Sequence, residues 1–311
     1  MINSTQVSFF TLTAYFDSGA LRYLYFVLLF SLYVSIVGCN VLLIVVIYVN
    51  RTLHEPMYMF LCSLFVNQLY GSTGLFPFLL IQLLSDVHTI SAPLCFLQIF
   101  CVYSYASIEA LNLAVMSYDR YVAICLPLQY QALMTSKRVA VLIAVTWLFP
   151  YFSIAVLVSL SAPLPLCGNA IDRIYCGNYS IVKLSCLDTR LNNILGLLYT
   201  AVSIVLPFFM ILYSYAKILE VCFSGSKQTR QKAVSTCSPH LACILNFFFG
   251  CCFQIVQSRF DLSGVPAVLA IILSLYFLTC QPLFNPLLYG LKMSGISEAC
   301  KRLICGENTN N

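Results

Sequence analysis

The chain has 311 residues, of which 60% are hydrophobic and only 9% charged, and its net charge is +5. Mean hydropathy is +0.89. A water-facing surface carries about 25% charged residues, so soluble enzyme, nucleic-acid-binding and disordered readings give way to a membrane protein. Sixteen cysteines suggest a disulfide framework only in a small secreted chain, so their positions matter more than their number.

Residues 1–22 form a tail with the glycosylation sequon Asn3-Ser4-Thr5 and no basic start followed by a short apolar block. A cleavable signal peptide is therefore not expected, and the first span serves as the targeting signal. A bilayer core of about 30 Å needs about 20 mainly apolar residues in a helix. Seven stretches qualify in turn: Tyr23–Val49, Met57–Leu84, Ala92–Met116, Val139–Ser159, Leu191–Ala216, Ala233–Ser258 and Leu262–Leu291. Six contain no Asp, Glu, Lys or Arg; the third contains Glu109. Barrel strands run to about 10 residues and alternate, so these continuous runs predict an all-α, seven-transmembrane-helix bundle spanning 23–291, with a tail over 292–311.

An odd number of spans puts the termini on opposite sides. With the N-terminus outside, the inner side holds Arg51, Arg120, Lys137, Arg138, Lys217, Lys227, Arg230, Lys232, Lys292, Lys301 and Arg302. The outer side holds only Arg22, Arg173, Lys183, Arg190 and Arg259. Eleven against five predicts an outer N-terminus and a cytoplasmic C-terminus. Cys95, at the outer end of span three, and Cys167, Cys176 and Cys186, in the loop before span five, then lie on the oxidising side. Four cysteines can form two disulfides, with three pairings open. The other cysteines read as small apolar residues or lipid-attachment points. Asn178-Tyr179-Ser180 is a second outer sequon, and Asn50-Arg51-Thr52 faces the cytosol.

No repeat at a fixed period is present. A transporter would carry internal repeats, interrupted helices or several intramembrane charges, and Glu109 alone is a poor basis for one. His54, His88 and His240 are far apart and form no metal-spacing motif. No metal or cofactor is expected, and the chain reads as no enzyme.

Four blocks carry more specific information. Span two opens with Leu53-His54-Glu55-Pro56-Met57-Tyr58-Met59-Phe60-Leu61, and span three closes with Met116-Ser117-Tyr118-Asp119-Arg120-Tyr121-Val122-Ala123-Ile124-Cys125. Span six opens with Lys232-Ala233-Val234-Ser235-Thr236-Cys237-Ser238-Pro239-His240, and span seven ends with Asn285-Pro286-Leu287-Leu288-Tyr289. Together they resemble the odorant receptors, a branch of the rhodopsin-like G-protein-coupled receptors, from about Gly38 to Lys292. Leu69–Pro77 and Cys101–Ser107 are more similar to the receptors of fishes.

The resemblance implies a small-molecule odorant as ligand and a stimulatory olfactory heterotrimeric G protein as partner, acting through cAMP. A non-olfactory chemoreceptor of the same branch is the alternative. It implies a ligand set of Tyr103, Ser104, Ala106 and Ser107 on span three and Tyr199, Thr200 and Ser203 on span five. Phe248, Cys251, Cys252 and Ile255 on span six complete it, with Tyr276 and Leu278 on span seven. No acid or base projects clearly into that set, which favours a neutral or weakly polar ligand. Arg259 and Asp261 at the mouth leave a charged odorant open.

The implied G-protein switch is Asp119, Arg120 and Tyr121 with Tyr215, His240, Asn285, Pro286 and Tyr289; a snorkelling arginine is the plainer reading of Arg120. Trp147 reads as a packing residue. The resemblance pairs Cys95 with Cys176 and Cys167 with Cys186. It also implies a cation or proton site shared between Glu109 and an acid in span two, where this chain has Gln68; a weakly held Na⁺ and a simple Glu109–Gln68 hydrogen bond both remain open. Finally, Gly295–Gly306 reads as a short amphipathic helix on membrane lipid, with Lys301 and Arg302 toward anionic headgroups and Cys300 and Cys305 as acylation candidates.

Overall fold

A computed structural model describes residues 7–15, 19–224, 227–259 and 267–305; within its helices, the side chains at 227–230, 232–236, 258–259, 267–268, 270 and 304–305 stand outside the description. Asn3 and Asp261 lie outside the described residues, as do the side chains of Arg259 and Cys305. Seven helices are long and apolar enough to cross a membrane. They are α1 (Leu21–Val49), α2 (Pro56–Leu84), α3 (Ala92–Cys125), α4 (Ser136–Ser161), α5 (Arg190–Ser224), α6 (Lys227–Arg259) and α7 (Ala267–Lys292). A shorter helix, α8 (Ser294–Cys305), follows.

Local signals set the ends. Pro56 occupies the first turn of α2, where its missing N–H costs nothing. The Thr135 hydroxyl caps α4 by accepting the Arg138 N–H at 3.4 Å. Helix α3 continues past Met116 to Cys125, because the polar stretch Ser117–Tyr121 interrupts the apolar run without breaking the helix. It stops at Leu126, whose helical conformation the following Pro127 disfavours.

The burial pattern is inverted relative to a soluble protein. Leu28 and Phe30 on α1 and Leu148 and Phe152 on α4 point outward at 48–74% exposure, while Asn40, Asn67, Gln68, Glu109 and Asn285 are wholly buried. Lipid accepts the apolar exterior, and the polar side chains find partners inside. Helix α3 is central and packs on α2, α4, α5 and α6.

Helix α5 contains a π-helical segment at Ala201–Val205, with Leu206 N–H bonded to Ala201 O. Two residues on, Pro207 has no N–H to give and its ring crowds the carbonyl of Ser203. The wider turn accommodates that clash.

At one end of the bundle the N-terminal tail, for which the sequence predicts no element, forms strand β1 (Phe9–Leu12). It pairs antiparallel with β2 (Thr89–Ser91), Phe10 opposite Ile90, and parallel with β3 (Ala170–Ile171), Leu12 opposite Ile171. Phe10 and Leu12 alternate inward into a cluster with Ile90, Cys95, Ile171, Cys176 and Ile181. Cys95–Cys176 and Cys167–Cys186 are disulfide-bonded at this end, with Cα separations of 5.5 and 5.2 Å.

Candidate functional site

A cavity of about 200 Å³ lies near the disulfide end, walled by α3, α4, α5, α6 and α7 and roofed by the loop residues Arg173–Val182. Of the ligand set that the resemblance implies, Tyr103, Ala106, Ser107, Tyr199, Thr200, Cys251 and Ile255 line it.

The other members face elsewhere. Ser104 is buried against Tyr70, whose hydroxyl is 2.8 Å away, and donates to Phe100 O. Ser203 is buried and donates to Tyr199 O at 2.7 Å, fixing the turn that carries Tyr199. Phe248 packs on Phe208 with the ring planes tilted by 59°, Tyr276 donates to Asn246 Oδ1, Cys252 is exposed and Leu278 is buried in the core. Successive helical residues point about 100° apart, so contiguous stretches cannot all face one cavity.

The wall also includes residues that the sequence did not single out, notably Arg173, Tyr175, Asn178, Asn192 and Gln254. The expectation that no base projects into the pocket is thereby corrected. Arg173 lies three residues before Cys176, whose disulfide to Cys95 draws the loop over the bundle; that proximity in sequence was the available signal. Tyr175 donates to Gln254 Oε1 at 3.0 Å, and burial pushes its phenol well above the ordinary value. Asn178 lies on the cavity wall and is 9% exposed. Tyr199 donates to Tyr103 O at 3.2 Å and meets the Ser107 hydroxyl.

One turn deeper, Glu109 is held by three amides. Asn67 and Gln68 donate to its Oε2 at 3.0 and 2.6 Å, and Asn285 donates to Oε1 at 2.7 Å. Tyr105 donates to Gln68 Oε1 at 2.9 Å, which orients the Gln68 amide with its N–H toward Glu109. Hard cations need several coordinating oxygens. Here three N–H groups point at the carboxyl and no second carboxyl is present among the described residues around it, while the amide oxygens of Asn67 and Asn285 are buried without a hydrogen-bond partner. Asn67 is a partner that nothing in the sequence singled out.

Toward the opposite end the polar groups form a relay. Tyr289 Oη lies 2.8 Å from His240 Nδ1, and His240 Nε2 lies 3.1 Å from Ser117 Oγ, which donates to Leu113 O at 2.8 Å. Because the Ser117 proton is spent on Leu113, His240 must donate from Nε2 and accept from Tyr289 at Nδ1. The relay joins α7, α6 and α3.

Pro286 cannot donate to Pro282 O, and Asn40 Nδ2 fills that place at 2.8 Å. At the bundle end, Arg120 donates to Asp119 Oδ2 at 2.5 Å through Nη2 and at 3.1 Å through Nε. Tyr130 donates to Asp119 Oδ1 at 2.8 Å; burial pushes its phenol up, keeping it a donor. Tyr121 lines a cleft beside it with Lys217 and Glu220. The Tyr215 ring lies 6.0 Å from His240, and its hydroxyl makes no hydrogen bond among the described residues. Trp147 donates to Ser63 Oγ at 2.9 Å and serves packing.

A seven-helix membrane bundle with a closed Asp-Arg pair at one end and a ligand-sized cavity at the other defines a receptor of the G-protein-coupled class. The sequence signature described as olfactory receptor matches residues 29–307. The chain is 36% identical to human olfactory receptor 11A1 over 96% of this chain and 95% of that one. It is 31% identical to mouse olfactory receptor 4B13, covering 97% of each, and 31% identical to rat olfactory receptor 1, covering 97% and 96%. This chain belongs to the olfactory receptor family, as a multi-pass protein of the cell membrane and not an enzyme.

Proposed function

We propose that the chain is an odorant receptor. A small molecule binds in the cavity beside Tyr103, Ser107, Tyr199 and Thr200, and the opposite end engages a stimulatory olfactory G protein that raises cAMP. One observation carries the reading: α3 bears the cavity wall at Ser107, the amide-held Glu109, the relay at Ser117 and the paired Arg120 along a single helix. A ligand that binds an opened packing of α3, α5, α6 and α7 more tightly shifts the population toward it. Arg120 then leaves Asp119 and presents a permanent cation to the partner.

The disulfide end faces outside in this reading. Disulfides persist in oxidising compartments, and most of the Lys and Arg residues sit toward the other end. Helix α8, with Ile296 and Ala299 buried and Lys301 and Arg302 exposed, lies on anionic lipid in the inner leaflet. The transporter alternative is not favoured.

A cAMP reporter in cells, screened with a broad odorant panel, tests the reading. Arg120→Ala should abolish ligand-evoked cAMP at unchanged surface expression; an intact response to the same ligand overturns the switch assignment.

A further inference from the structure

The cavity wall carries one charged group among its described residues, Arg173, and no carboxylate. All else there is apolar or a neutral dipole. The guanidinium is positioned from two sides. Arg173 N–H donates to Ile171 O at 2.9 Å, closing a tight turn just after β3, and its Nη2 donates to Gln257 O on α6. The Cys95–Cys176 disulfide ties the same loop to α3.

A guanidinium offers five N–H donors. Among the described residues Arg173 makes one side-chain hydrogen bond, to a neutral carbonyl, and pairs with no acid. Its neighbour Asp172 accepts from Thr13 instead. The nearby amide is already engaged: Gln254 accepts from Tyr175 and donates to Ser274 O. Arg173 is therefore the charged group on the described wall, and it has donors to spare.

We infer that the cavity selects small molecules carrying one anionic group, a carboxylate, and that Arg173 recognises it; this rests on the cavity being the odorant site. An anion entering the cavity gives up its hydration, which neutral dipoles repay only in part. A planar guanidinium repays it through paired N–H···O bonds matched to carboxylate geometry. An ammonium group meets like charge and, among the described wall residues, no acid, so amines are rejected. The cavity volume of about 200 Å³ is below the roughly 300–1,000 Å³ of drug-sized pockets, which restricts the ligand to a short apolar tail.

The test uses the full chain in cells with a cAMP reporter and antibody-measured surface expression. The probes are pentanoate, pentanol, methyl butanoate and pentylamine. Pentanoate should act at least tenfold more potently than the alcohol, ester or amine. Arg173→Gln should raise its half-maximal concentration by about tenfold to a hundredfold, the worth of one charge-assisted pair. The alcohol and ester should stay within twofold, and Arg173→Lys should keep part of the preference. Equal potencies, or a shift of all probes together in Arg173→Gln, overturn the inference and assign Arg173 a purely structural tether. A response to neutral molecules or amines with none to carboxylates overturns it while leaving the receptor reading intact. Silence to these probes and to a broad odorant panel, at full surface expression, overturns both.

Discussion

At the scale of single residues, the buried polar side chains act as fasteners between helices. His240 holds α7 through Tyr289 and α3 through Ser117. His240→Phe keeps a ring in place and removes both bonds. Each is worth about 1 kcal/mol, so the resting packing should lose population and basal cAMP should rise roughly fivefold or more. Unchanged basal cAMP at equal surface expression would count against the relay as a restraint. Glu109 leads to a second expectation. Its oxygens are taken by three amide donors, so replacing external and internal Na⁺ with K⁺ should leave ligand potency within twofold. A larger loss would restore the cation reading. Gly71 also permits a close approach that no side chain could share, since a Cβ there would overlap the Tyr105 ring, and Tyr105 is what orients Gln68.

At the scale of elements, the two proline devices differ in purpose. In α7, Pro286 frees a carbonyl that Asn40 on α1 then occupies, converting a helix defect into an interhelical contact. In α5, Pro207 is accommodated by the π segment Ala201–Val205. That inserted residue sets how Tyr199 and Thr200 are turned toward the cavity. Pro207→Ala lets the segment revert to α-helix and rotates the residues before it by about 100°. Odorant potency should fall roughly tenfold, about the value of one lost hydrogen bond, while basal cAMP holds; an unaltered potency would show that the π turn does not aim the cavity wall.

The spans themselves were legible in the sequence because burial in lipid demands long apolar runs. The π turn and strand β1 were not legible, and the end of α3 at Cys125 was legible from its motif block but not from hydropathy. They depend on a local proline clash, a polar stretch within a helix and pairing with distant segments, none of which leaves a hydropathy signal. The cavity was half legible for a similar reason. Family-like stretches named the right helices, but the facing of each residue and the arrival of Arg173 from a loop are set by tertiary packing.

Across the whole molecule, covalent and strand links cluster at the disulfide end. The Cys95–Cys176 bond spans 81 residues and Cys167–Cys186 spans 19. Loop-closure entropy makes the first worth about 4.5 kcal/mol and the second about 3 kcal/mol. Thermal unfolding of purified receptor should therefore fall further for Cys176→Ser than for Cys186→Ser, and the reverse order would show that local packing outweighs chain entropy.

The same end carries a mild acid sensitivity. His88 stacks on Tyr15 at 4.4 Å, and burial holds its imidazole below the ordinary 6.5, against an opposing pull from Asp86. The unfolded segment then binds more protons in that interval. Its contribution is full above pH 6.5 and is lost as pH falls below it. Hydrogen-exchange protection at Thr11–Tyr15, taken relative to the intrinsic amide rate at each pH, should fall between pH 7 and pH 5, and His88→Phe should flatten the trend.

Strand β1 has a consequence for anyone building fusions from this chain. Thr11 and Leu12 pair with Ala170 and Ile171, and Tyr15 donates to Ile174 O at 2.9 Å, so the tail grips the peptide on both sides of Arg173. A leader spliced upstream of Val7 leaves that grip alone. A chimera that exchanges Phe9–Tyr15 for another receptor's tail re-seats the guanidinium, and would alter odour tuning through a segment that touches no odorant.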